Sequence, residues 1–535
     1  MPQNGSGKFS DFTHKALQAI RELGVTHVWY TGIIEHATQT DYTAYGIQND
    51  HPAVVKGIAG SPYAIKDYYD VTPDLADDIA CRMSEFEALV KRTHIEGMKI
   101  LIDFVPNHVA RQYHSDAKPE DVKDLGEADK TSEGFCNQNN FYYIPQSTFS
   151  LQFDLHIDKS MDDYCEFPAK ATGNDLFNAS VSANDWYETV KLNYGVDYLN
   201  DGSKFFDPIP DTWLKMRHIL LFWAAKGVDG FRCDMAGMVP VEFWGWVIGQ
   251  VKEQYPGTIF IAEIYEPDRY RDYLTAGKFD YLYDKVGLYD TLRDVACGYR
   301  PASEITGCWQ RIEGMQAQML NFMENHDEQR IASDFFLGNG RAGIPPMVVA
   351  ATMNVNPVML YFGQELGESG MDKEGFSGLD GRTTIFDYWS VSTVRNWRND
   401  EKFDSARLSK ESADLRNMYK KLLNICHEPA ISQGTFFDLM YANQYNENFN
   451  PNRQYAYIRH IEGQTILICT NFDTEPVEVG INIPVHAFDY LKIEAYENCM
   501  ATDLLTGEKL QTNLLPNRKT CFSMEARGVR VLEIH

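Results

Sequence analysis

Through most of the chain, apolar residues recur with two alternating periods. Residues 13–23 (THKALQAIREL) place Ala16, Leu17, Ile20 and Leu23 on one face, which predicts an amphipathic helix closed by Gly24. VTHVWYTGI (25–33) follows as a buried strand. A second helix is predicted over 79–97, with Phe86, Leu89 and Val90 turned inward and Gly97 at its end, and KILIDFV runs on directly as a strand. The alternation resumes at Trp213 with a helix through Lys226, a strand at 228–234, a helix at 241–254 and strands at 258–264, 279–286, 319–325 and 357–362. Helices alternating with short apolar strands predict the α/β class and a parallel sheet. This many repeats predict a (β/α)8 TIM-type barrel rather than an open sheet. Seven strands are legible. The first should precede the helix at 13–23, where only mostly polar residues stand, so the barrel is expected without its first strand.

Two stretches break the pattern. The interval from Asp103 to Asp234 exceeds one strand-plus-helix repeat by about a hundred residues, and residues 109–208 within it are polar, rich in Asn and Asp, with aromatic islands such as FYYIP, DWYE and LNYG. They are expected to form a small irregular subdomain inserted after the third barrel strand and overhanging the barrel mouth. The last predicted barrel helix, 413–425, ends near Glu428-Pro429, and beyond it the period falls to two. YAYIRHIEGQTILICTNF (455–472) reads as a hairpin turning at Glu462-Gly463, and VEVGINI, KIEAYE and VRVLEI continue the alternation. The expected organisation is therefore barrel over 1–108, insertion over 109–208, barrel again over 209–431, and an antiparallel β-sandwich over 432–535.

Lys plus Arg number 49 against 76 Asp plus Glu, a net charge of −27 that argues against nucleic acid or anionic membranes as partners. No run approaches the length of apolar residues a membrane span needs. The ten cysteines form no C-x-x-C pair, which favours reduced thiols over a disulfide frame or zinc site, and the opening MPQNGSGKFSDF has no signal-peptide pattern. A cytoplasmic location is expected, or a secreted or periplasmic one if a signal has been removed. Thirty Tyr and thirty Phe supply flat apolar faces of the kind that pack against pyranose rings, although most are expected to be core.

Four apolar runs end on acids: Asp103 in ILIDFVPNH, Asp234 in GVDGFRCD, Glu263 in IFIAEIY and Asp327 in NFMENHD. A buried parallel strand has this form where its C-terminal end opens into an active site. Twenty-nine residues separate Asp234 from Glu263, about one repeat, so the two belong on adjacent strands some 4.8 Å apart. Two carboxyl groups about 5 Å apart suit retaining glycoside hydrolysis, one as nucleophile and one as acid/base. Arg232, two residues before Asp234, shares its face of the strand and should keep that carboxylate ionised. Glu263, between Ala262 and Ile264, is expected in apolar surroundings that keep it protonated.

These segments together resemble glycoside hydrolase family 13, the α-amylase family, from about residue 13 to the C-terminus. DFVPNH (103–108), GVDGFRCD (227–234), Glu263 in IAEIY and ENHD (324–327) match its four signature segments in order, and NPVMLYFGQE (356–365) is similar to the segment closing its last strand. The resemblance implies Asp234 as nucleophile, Glu263 as acid/base and Asp327 as the acid that grips and distorts the sugar. It also implies a substrate subsite lined by Tyr63, His108, Arg232 and His326, with Asp103 orienting Arg232, and Arg330 as a sugar contact. The chain departs from the family where many α-amylases carry a Lys-His pair that helps bind glucan and calcium. Here the stretch reads Met235-Ala236-Gly237-Met238. Asn107 matches a calcium ligand of the family, so calcium stays open, no metal ligand set is assigned and no organic cofactor is expected.

The reading that follows is a retaining hydrolase of α-1,4-glucans or maltooligosaccharides, with the oligomeric state unassigned. Transglycosylation on the same machinery and a non-catalytic sugar-binding relative stand as alternatives. A metal hydrolase built on Asp103, His108, His326 and Asp327 lacks the expected H-x-H pair.

Overall fold

The structure, a computed structural model, describes residues 7–154 and 163–535. Its centre is a parallel sheet whose strands follow one another in chain order: β1 (His27–Tyr30), β2 (Lys99–Phe104), β3 (Gly230–Cys233), β4 (Ile259–Ala262), β5 (Tyr281–Tyr283) and β6 (Met319–Leu320). A parallel bridge from Asn321 to Val358 adds a seventh strand position. β2 to β6 are largely buried, as apolar runs covered by helices on one side and filled by side chains on the other must be, while three of the four residues of β1 are half-buried. Helices α1 (His14–Arg21), α2 (Arg82–Ile95), α3 (Asp211–Ala225), α4 (Val241–Gln254) and α5 (Lys410–Ile425) stand where the apolar period placed them. α1 starts where Thr13 accepts from the Ala16 amide at 3.2 Å. This is the TIM-type barrel expected from the alternation.

Ahead of α1 the described chain makes a short 3-10 turn, Phe9–Asp11, held by Arg92 on the Phe9 and Phe12 carbonyls at 2.6 and 3.1 Å. No strand precedes α1 among the described residues. The ring is drawn together at this seam by helix contacts. Arg416 and Asn424 of α5 donate to the Ala19 and Glu22 carbonyls of the α1 segment at 3.0 and 3.3 Å, and the His427 ring meets the Gly24 carbonyl at 2.8 Å. The approach is close enough to require glycine, because Gly24 has φ +102° and an added Cβ would lie 2.9 Å from the Leu423 carbonyl carbon.

Residues between Ala110 and Lys204 form a series of two- and three-residue strands rather than a bare loop. The ladder nearest the barrel pairs His108–Ala110 with Thr189–Lys191. Val54, Phe149, Ala169, Val181 and Tyr187 form a small apolar centre beneath the outer part. The segment 155–162 of this insertion lies outside the described residues.

After α5 come β7 (Thr435–Asp438), β8 (Gln454–Ile461), β9 (Gln464–Asn471), β10 (Val477–Asn482), β11 (Tyr496–Asp503), β12 (Lys509–Leu514), β13 (Lys519–Met524) and β14 (Val529–Ile534). They build an antiparallel sheet in the order β7-β8-β9-β14-β11-β12, faced by the pair β10-β13. The Ile461↔Gln464 pair puts the hairpin turn on Glu462-Gly463, as expected, whereas most of KIEAYE lies ahead of β11. One apolar cluster runs from Leu320 and Met347–Val349 in the barrel to Tyr457, Ile468 and Val531 in this sheet, so the two parts share a core. Among the described residues no helix is long and apolar enough to cross a membrane.

The seam yields a prediction. Gly24→Ala places a side chain on a left-handed backbone and against the Leu423 carbonyl, and should destabilise the fold by more than about 1 kcal/mol. Urea denaturation of the variant beside the parent reads the loss.

Candidate active site

All four acids gather at the C-terminal edge of the parallel sheet. Asp103 and Arg232 are register partners on β2 and β3. Asp234 and Glu263 stand one residue beyond β3 and β4, where the Asp234 amide still bonds the Phe104 carbonyl at 2.9 Å and the Glu263 amide the Cys233 carbonyl at 3.1 Å. The ladder therefore holds Asp234 and Glu263 side by side at about the 4.8 Å spacing of neighbouring strands. Side chains two apart in a strand share a face, so Arg232 projects to the same side as Asp234.

The buried Arg232 guanidinium organises the group. It meets Asp234 at 2.6 Å, Glu263 at 2.7 Å and Asp103 at 3.5 Å, and its Nε donates to the Tyr283 hydroxyl at 3.2 Å. Trp29 Nε1 donates to the second oxygen of Asp103 at 3.0 Å. The rings of Trp29, Tyr63 and Tyr283 lie about the guanidinium with centroids 5.4, 5.3 and 5.5 Å away. Burial and the Glu263 charge push the Asp234 carboxyl up to about 8, against the pull of Arg232. The expectation that Arg232 keeps Asp234 ionised is therefore corrected: burial and the neighbouring carboxylate outweigh the guanidinium.

Glu263 is not among apolar groups. Its Oε2 accepts from the Met235 amide at 2.8 Å, and its Oε1 accepts from the Tyr265 hydroxyl at 2.6 Å in addition to facing Arg232. The apolar neighbours read from the sequence are Ala262 and Ile264, whose side chains point to the opposite face of the strand from Glu263. The apolar pocket expected around Glu263 is therefore not found: an amide, a hydroxyl and a guanidinium surround its carboxyl instead.

Asp327 has a side chain 47% exposed and pairs with His326 Nε2 at 3.0 Å. Partial burial would raise its carboxyl, but His326, Arg232 and Arg382 outweigh that and hold it at about 2. His326 in turn is buried, yet Asp327 raises its affinity for a proton. Tyr63 stacks on His326 with centroids 5.0 Å apart and planes at 22°, and its buried hydroxyl has no hydrogen-bond partner among the described residues. His108 sits beneath Trp186 at 5.2 Å, with the Asn107 amide against its Nδ1 at 3.1 Å. Eight of the nine sequence-predicted residues thus form one constellation: Tyr63, Asp103, His108, Arg232, Asp234, Glu263, His326 and Asp327.

Arg330 is the exception. It is fully buried, donates to Glu324 at 2.9 Å, to Thr383 at 3.0 Å and to the Phe362 carbonyl at 2.9 Å, and packs on Tyr361 and Phe362. It clamps the loops behind the site and does not face the cleft, so the expectation of a sugar-contacting Arg330 is corrected. The half-exposed Arg382, which lowers the Asp327 carboxyl, is the arginine on the cleft side. Sequence reading also missed Trp29, Tyr265, Tyr283 and Trp186. Tyr265 is two residues past Glu263 and shares its face, a signal that was available. The others read as core aromatics until the guanidinium and His108 are placed beside them. Among the described residues no group of three or more His, Cys, Asp or Glu is disposed to hold a metal ion, and Asp103 is engaged by Arg232 and Trp29.

Comparison with known proteins places the chain among relatives. A family model described as the alpha amylase catalytic domain matches residues 3–414. The chain is 24% identical over 475 residues to alpha-amylase MalA of Haloarcula japonica, covering 87% of this chain and 52% of that protein. It is 22% identical over 475 residues to alpha-amylase 2 of Dictyoglomus thermophilum, covering 87% and 64%. The chain thus spans about half to two-thirds of the length of these curated relatives. The maltogenic alpha-amylase AmyB of Thermotoga neapolitana superposes with a TM-score of 0.64 at 20% identity, covering 99% of this chain and 95% of that one, a likeness of fold.

Two predictions follow from the site. Burial, then Lys191 and Lys56, lower the His108 ring to about 3, against 6.5 for a free histidine. The folded protein takes up this proton later than the unfolded one, so the stability present above about pH 6.5 erodes as pH falls toward 3. His108→Gln should flatten the acid side of a plot of thermal midpoint against pH. Arg330→Met should cost about 3–5 kcal/mol of stability by stranding the Glu324 charge, read by urea denaturation beside the parent. Parental stability in the variant would show that Arg330 does not clamp these loops.

Proposed function

The chain belongs to the alpha-amylase family, and from that premise we propose that it is a retaining α-glucoside hydrolase acting on α-1,4-glucans or maltooligosaccharides. The observation that carries the proposal is the pair of carboxyl groups on adjacent strands, both held by the Arg232 guanidinium at 2.6 and 2.7 Å. Neighbouring strand ends lie about 4.8 Å apart, which suits the roughly 5–5.5 Å of a retaining pair, whereas an inverting pair needs room for a water.

In this reading Asp234 is the nucleophile. Its oxygen forms a bond to the anomeric carbon as the bond from that carbon to the glycosidic oxygen breaks, and Glu263 gives its proton to the departing oxygen. Water then attacks the glucosyl ester, losing a proton to Glu263 and freeing Asp234. Turnover requires a proton on Glu263 when the glycosidic oxygen arrives and an ionised Asp234, which Arg232 faces at 2.6 Å. Asp327, ionised and open to the cleft, accepts from sugar hydroxyls. The Tyr63 ring, stacked on His326, offers a flat face beneath the pyranose. His108, neutral at working pH, donates from its ring, and Arg382 stands ready for a hydroxyl beside Asp327. The ten free thiols suit the expected cytoplasmic setting.

The test pairs two substrates. Glu263→Gln should lose about 10²–10⁴-fold in kcat on maltoheptaose yet still react with α-glucosyl fluoride, whose leaving group needs no proton. Asp234→Asn should lose both reactions. Near-normal maltoheptaose hydrolysis by Glu263→Gln would contradict the assignment. Products longer than the substrate, in place of new reducing ends, would move the reading to transglycosylation.

A further inference from the structure

The ladder of the insertion nearest the barrel places Lys191 directly across from His108. The lysine side chain is 2% exposed, and its ammonium ends among three oxygens from three separate segments. It donates to Asn107 Oδ1 just beyond β2, to Asp175 Oδ1 of the insertion at 2.6 Å, and to the Met238 carbonyl in the loop after β3 at 3.3 Å. An ammonium has three N–H groups and no lone pair, so these three acceptors use its whole capacity. The Tyr198 ring closes one side with its centroid 5.7 Å from the nitrogen. Asp175 reaches the site from a tight turn at φ 61°, closed by the Thr172–Leu176 bridge.

An amide oxygen, a carboxylate and a peptide carbonyl drawn from distant segments make the kind of oxygen cage that a hard divalent cation takes. Asn107 is also the residue that the family resemblance marks as a calcium ligand. Here calcium does not fit. The ammonium nitrogen stands at the focus of the three oxygens, and a second cation beside it would be repelled at close range. Among the described residues only one carboxylate, Asp175, enters the cage, and it balances the single charge of Lys191. The neighbouring Glu188 is paired with Lys56 at 2.9 Å, and Asp185 is engaged by Asn174 and Ser182.

We propose that Lys191 is a built-in cation that takes the place of calcium, tying the insertion to the barrel loops on either side of His108 so that the site is assembled without a metal. Lys191 acts as a positioning residue. Its backbone is paired with His108, and its ammonium holds the amide neighbour of that ring and the loop that follows Asp234. Substrate identity does not enter, so the proposal stands apart from the hydrolase reading.

The test reads thermal midpoint and metal content beside activity. The unsubstituted protein, exhaustively treated with EGTA, should keep its midpoint and turnover, gain nothing from millimolar calcium chloride, and carry substoichiometric calcium by atomic emission. Lys191→Met, which keeps the stem and removes the charge, should lose several degrees of midpoint. Lys191→Ala, which opens the cage, should gain a calcium-dependent rise in midpoint that the parent lacks. The proposal is overturned by stoichiometric calcium in the parent, by a midpoint that falls in EGTA and returns with calcium, or by a Lys191→Met protein with the parental midpoint. If Lys191→Met yields no folded protein, the parental chelation arm decides alone.

Discussion

Everything in the site depends on one buried guanidinium shared among three carboxyl groups. Arg232 meets Asp234, Glu263 and Asp103 at 2.6, 2.7 and 3.5 Å, and aromatic rings close the space around it. A single positive charge cannot neutralise three negative ones in a dry setting, so the cluster relieves itself by keeping a proton. The Asp234 carboxyl, pushed up to about 8, is where that proton retention shows. A retaining glycosidase uses two acids about 5 Å apart, one of them protonated.

The rest of the fold keeps that cluster dry and fixed. The parallel ladder sets the spacing of Asp234 and Glu263 through backbone hydrogen bonds that continue past the strand ends. α1 and α5 draw the ring together at the seam beside β1, where Trp29 reaches Asp103. The insertion brings Trp186 over His108 and is pinned to the barrel through Lys191. The C-terminal sheet shares a core with the barrel on the side of β6, the strand that leads to His326 and Asp327.

The fold was legible because buried parallel strands and covering helices impress distinct periods on the sequence, and the carboxylates were legible because each closes an apolar run. The same-face relation of Arg232 and Asp234 followed from the period of two. What escaped was everything decided by contacts between segments remote in sequence. Lys191 and Asn107 are 84 residues apart, and a lysine in a short insertion strand reads as a solvated charge. Trp29 and Tyr283 look like core aromatics until Arg232 is placed between them. Arg330 was misread because an arginine three residues past Asp327 can turn to the cleft or to the interior, and only its buried partner Glu324 decides which. Glu263 showed the converse error. Its apolar sequence neighbours face away, while Tyr265 and the Met235 amide supply the donors.

The central claim, that Asp234 attacks carbon across a gap shared with Glu263, is tested most directly by trapping. Incubation with 5-fluoro-α-glucosyl fluoride, followed by intact-mass analysis and peptide mapping, reads which side chain carries the sugar. The proposal predicts a stoichiometric glucosyl ester on Asp234. An adduct on Glu263 or on any other residue, or first products released with inverted anomeric configuration, would contradict it.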